Sequence, residues 1–80
     1  MNVASEPLAA ALSQIGLLEM AHITRTGYYY DGFKLKTREL IKHLSVEAEK
    51  TGDGVKRHRI HQLVYEVQQG FFDIEEPAHG

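Results

Sequence analysis

The sequence predicts a mainly α domain with a minor β component: three helices, with a short β-hairpin between the first and the second. Three observations carry that expectation. Apolar residues recur at helical spacing in three separate segments. Asp31-Gly32 interrupts the aromatic-rich run Tyr28 to Leu35, as a tight turn between two strands would. The composition, 42% hydrophobic and 25% charged, is that of a chain able to bury a core. With 80 residues there is room for one domain, placed at residues 1–72, followed by an acidic flexible tail at 73–80. Surface scaling gives burial of about 63% of the unfolded chain's area, enough for one modest core.

Helix one is expected from Ser5, a good N-cap, with Pro7 in the first turn, where its missing N–H costs nothing. Leu8, Ala11, Leu12, Ile15 and Leu18 form one stripe. Gly16 interrupts it, and either weakens a continuous helix by about 1 kcal/mol or ends one short helix before another begins. Leu17 and Met20 fall on the opposite face, which favours a break or a second contact surface. In the hairpin, a two-residue Asp31-Gly32 turn pairs Tyr30 with Phe33 and Tyr28 with Leu35. Those four side chains then point inward, and Tyr29 and Lys34 outward. Thr37 caps a second helix running to about Lys50, with Leu40, Ile41, Leu44 and Ala48 inward and Gly52 closing it. Asp53 caps the third, Gly54 to Gln69, which buries Ile60, Leu63, Val64 and Val67. Gly70 ends it, and Phe71 and Phe72 are placed to fold back onto the last turn.

Composition narrows the function classes. The absence of cysteine removes disulfides, thiolate zinc sites and Cys nucleophiles. A formal net charge of −2 argues against a generic polyanion-coating protein. No apolar run approaches the roughly 20 residues a membrane helix needs. The first basic residue is Arg25, so the charged head of a secretory signal is missing, and a reducing cytoplasm is the expected location.

The most unusual local feature is Lys56-Arg57-His58-Arg59. Full positive charges in the first turn of helix three meet the positive end of its macrodipole, at roughly 0.3–1 kcal/mol each when exposed. Lys56, Arg57 and Arg59 are therefore candidate anion-binding residues, or else a solvated basic end neutralised locally by Asp53 and Glu49. The outward face of the helix carries Arg57, His58, His61, Tyr65, Gln68 and Gln69, all able to hydrogen-bond and none a carboxylate. Such a stripe suits a protein partner, where Tyr and Arg are enriched at hot spots, or base edges in a major groove. Tyr29 and Lys34 of the hairpin offer a second contact. Serines lack a nucleophile context, no glycine loop cradles phosphate, and the Glu75-Glu76 pair lies in the tail, so an enzyme is not expected.

Histidines elsewhere admit plainer readings. Glu19 and His22 have the spacing of a metal motif, but a break at Gly16 would turn them outward. His58 and His61 lack an evident third ligand. His43 stands four residues from Glu39 and from Glu47, as ordinary helix contacts would. The expectation is a small protein-interaction factor (adaptor, inhibitor or antitoxin-like partner) using helix three, without cofactor or metal. Self-association into a homodimer is expected from the two apolar faces of helix one. A dimeric DNA-binding regulator is the alternative, and a metal-binding helical dimer the weaker one.

Overall fold

Gly16 divides the first predicted helix in two. The computed structural model describes residues 5–73, and over them the chain runs α1 (Glu6–Gln14), α2 (Leu18–Arg25), β1 (Tyr30–Asp31), β2 (Lys34–Leu35), α3 (Thr37–Lys50) and α4 (Gly54–Gln68). There are thus four helices where three were expected, and the hairpin lies between the second and the third. The predicted tail lies outside the described residues from position 74 onward.

The break has a defined cause. Gly16 takes φ +81°, its N–H donates to Ser13 O at 3.0 Å, and Leu17 N–H donates to Leu12 O at 2.9 Å. That double bond is the Schellman closure, which needs a left-handed residue after the helix. The same pair of bonds closes α2 through Gly27 and Tyr28, and α4 through Gly70 and Phe71. Reversal at Gly16 lays α2 against α1, so Leu17 and Met20 join the same core as Leu8 and Leu12. Leu17 and Met20, expected on an opposite face, are thus interior, while Leu18, expected on the inner stripe, is 66% exposed. Glu19 and His22 point outward. Arg25 forks onto Glu6, Nη2 to Oε1 at 2.9 Å and Nε to Oε2 at 3.0 Å, which joins the last turn of α2 to the first of α1. That bond holds the Glu6 carboxyl below its usual range, although both groups stay exposed.

Gly16→Ala supplies a test of sign. The added Cβ would meet nothing closer than the Lys56 ammonium at 3.5 Å, so the effect is conformational. We expect about 1 kcal/mol of destabilisation in urea unfolding, because Ala resists a left-handed φ. In an unbroken helix the same change would stabilise by a similar amount, and a rise in the urea midpoint would exclude the corner.

The hairpin turn lies one residue further along the chain than the sequence expectation, which moves each pairing by two. Tyr30 pairs with Leu35 and Asp31 with Lys34, so Gly32 and Phe33 form the turn. Gly32 carries the positive φ (+64°) at the first central position, and Phe33 has none. An Asp31-Gly32 turn of type I′ would need positive φ at Asp31 too, whereas here a single glycine suffices. A shift of two in the pairing keeps Tyr30 and Leu35 on one face. Those two face the interior as expected, while Phe33 and Tyr28, expected inward with them, are 45% exposed.

In α3, Thr37 is the first helical residue and not the cap; Lys36 precedes it and Thr37 Oγ1 donates to Leu35 O at 3.4 Å. Gly52 does not close the helix either, because Thr51 leaves it in an extended conformation and needs no left-handed residue. Leu40, Leu44 and Ala48 are buried and Ile41 packs beside them. Asp53 caps α4 as expected, accepting from Val55 N–H at 2.9 Å and Lys56 N–H at 3.3 Å. Ile60, Leu63 and Val67 are buried against α3.

Candidate functional site

Burying Ile60, Leu63 and Val67 leaves the opposite side of α4 in solvent. His58, His61, Tyr65, Gln68 and Gln69 are all exposed. His58, His61 and Tyr65 line a surface groove of about 420 Å³, together with Gln62, Glu66 and Phe71. Gln68 and Gln69 lie outside its lining. Phe71 enters because Gly70 turns the chain after α4: Phe71 is 67% exposed, while Phe72 packs against the core and its carbonyl accepts from Tyr30 Oη at 3.0 Å. Only Phe72 therefore folds back as expected.

The basic residues of the first turn do not act together. Arg57 reaches back to the end of α3, donating from Nε to Ala48 O at 3.2 Å and from Nη2 to Thr51 O at 2.8 Å. The last carbonyls of a helix lack partners within it and face its negative end, so a guanidinium there satisfies both. Lys56 is half-buried and leans over the α1–α2 corner, beside Gly16, Leu17 and Glu47. Arg59 is exposed on the other flank, next to Gln14 and Ile15 of α1. The three proposed anion ligands leave the helix in three directions. The charge penalty foreseen at the N-terminus of α4 is offset by a gain at the C-terminus of α3.

Tyr29 does not face solvent. It is fully buried, its hydroxyl 2.7 Å from His43 Nδ1 and its ring edge-on to Tyr28 and to His43. Burial pushes the phenol up to about 12, with the charges of Tyr28, Glu39 and Glu47 adding to it. The Tyr29–His43 pair borders a second hollow, between α2 and α3, lined also by Met20, Ile23 and Val46. The alternation argument failed here because it assumed one wet face. Tyr29 lies just before β1 and turns toward α2 and α3, while Tyr30 turns toward the end of α4. Tyr28 alone stays at the surface, donating to Glu39 Oε1 at 3.0 Å under the Lys36 ammonium. His43 is thus held by Tyr29, while Glu39 serves Tyr28 and Glu47 lies 3.7 Å from the Lys50 ammonium. Lys34 remains exposed on the hairpin.

Three groove residues escaped the sequence reading: Gln62, Glu66 and Phe71. Gln62 was legible, standing four residues after His58 and three before Tyr65 on one helical face. Phe71 was not, since its direction follows from the left-handed turn at Gly70. Among the described residues, no three His, Asp or Glu side chains come together as metal ligands, and no helix is long and apolar enough to cross a membrane. No family model, curated protein or solved structure matches the chain.

Proposed function

We propose that this chain is a non-enzymatic interaction module that grips another protein with the outer face of α4. One observation carries the reading: Tyr65 and Phe71, 60% and 67% exposed, share a groove rimmed by the hydrogen-bonding side chains of His58, His61 and Gln62. Exposed aromatic rings beside hydrogen-bonding side chains are the make-up of binding hot spots, since they bury much area and lose little side-chain entropy. A role as adaptor, inhibitor or antitoxin-like partner fits such a surface. Docking α4 in a DNA groove would need Lys56, Arg57 and Arg59 on phosphates, and their divergence favours the protein reading.

The test uses the full chain as bait in lysate of its native host. Tyr65→Ala should weaken binding of the captured protein at least fivefold and change the unfolding free energy by less than about 0.5 kcal/mol, as for a surface change. Undiminished binding by Tyr65→Ala removes this reading. Duplex DNA retained at about 50 mM salt and lost steeply as salt rises would replace it with the nucleic-acid one.

A further inference from the structure

We infer that the groove between Tyr65 and Phe71 receives a cationic side chain of the partner, an arginine or lysine whose stem lies on the rings and whose head meets Glu66. The inference rests on the α4 docking reading and adds the partner's chemistry to it. The lining is four rings, one amide and one carboxylate, so Glu66 is its only acidic group and no lysine or arginine contributes. Among the described residues, the Glu66 carboxylate takes part in no hydrogen bond or ion pair; the two ion pairs are Arg25–Glu6 and Lys50–Glu47. Arg59 shares the far flank of Glu66, toward α1, without pairing with it.

The surroundings have the same sign. Glu66 stands in the last turn of α4, which holds no basic residue, and a helix C-terminus is the negative end of its dipole. Ring faces attract cations, and the stems of Lys and Arg pack on apolar surface while their heads stay polar. An anionic partner group would meet the one uncompensated carboxylate in the groove.

The experiment titrates the isotope-labelled full chain at pH 7.5 with N-acetyl-arginine methylamide, and in parallel with the leucine and glutamate analogues, following backbone amide resonances. The arginine probe should shift His58, His61, Gln62, Tyr65, Glu66 and Phe71, with the other two at least threefold weaker. Glu66→Gln should weaken the arginine probe roughly three- to fivefold, and Tyr65→Ala roughly two- to fivefold. Equal shifts from leucine or glutamate, no shift from any probe, or indifference to Glu66→Gln would each overturn the inference. The captured partner separates this from the parent reading. If Tyr65→Ala weakens capture and Glu66→Gln does not, the cation fails and the α4 surface stands. If neither weakens it, both fail.

Discussion

Tyr29→Ala should destabilise the protein by about 3–5 kcal/mol in urea unfolding, the range for deleting a large buried aromatic side chain. For 80 residues, total stability is about 4–12 kcal/mol, so this one change removes between about a quarter of it and all of it. The side chain is fully buried, and its removal would open a void between α2 and α3 and leave His43 without its partner. Tyr29→Phe separates the two effects. It keeps the ring and deletes the hydroxyl, and should cost about 1 kcal/mol, the usual net worth of one hydrogen bond. A loss below about 1 kcal/mol for Tyr29→Ala would mean that the ring is at the surface, as an inward–outward alternation places it.

Arg57→Ala carries the second large effect, and it is one of stability and not only of binding. Its guanidinium holds the Ala48 and Thr51 carbonyls at the end of α3. Losing both bonds should lower stability by about 1–2 kcal/mol, since the contacts are charge-assisted but partly solvated. Arg57→Lys should recover only part, because a single ammonium cannot reproduce a planar fork on two acceptors. The urea midpoint decides the matter. An unchanged midpoint together with weakened partner capture would return Arg57 to the docking surface.

How far local reasoning carried can be followed residue by residue. Asp53 as cap, the Leu40–Leu44–Ala48 stripe and the Ile60–Leu63–Val67 stripe depend on spacing within one helix, and all stand where spacing puts them. Gly16 could be read as a weak point or as a stop, and the choice turned on whether Leu17 and Met20 had a core to enter. Tyr29 was read outward because alternation has meaning only when one strand face is wet, and here protein lies on both sides. Arg57 looked free because nothing near it in sequence is its partner; the carbonyls it serves lie nine and six residues back, across a turn.

Period and capping are short-range quantities, set by bonds and side chains within about one helical turn. They were enough to specify which segments coil, where α4 begins, and that His58, His61 and Tyr65 would be left in water. The direction of a side chain beyond a corner depends instead on what the corner brings near. Packing α2 onto α1 and α3 onto α4 turned Tyr29 into core, made Arg57 the clamp on a neighbouring helix, and left Phe71 beside Tyr65 and Glu66. Those outcomes come from burial and unpaired carbonyls contributed by distant parts of the chain, and no local pattern encodes them.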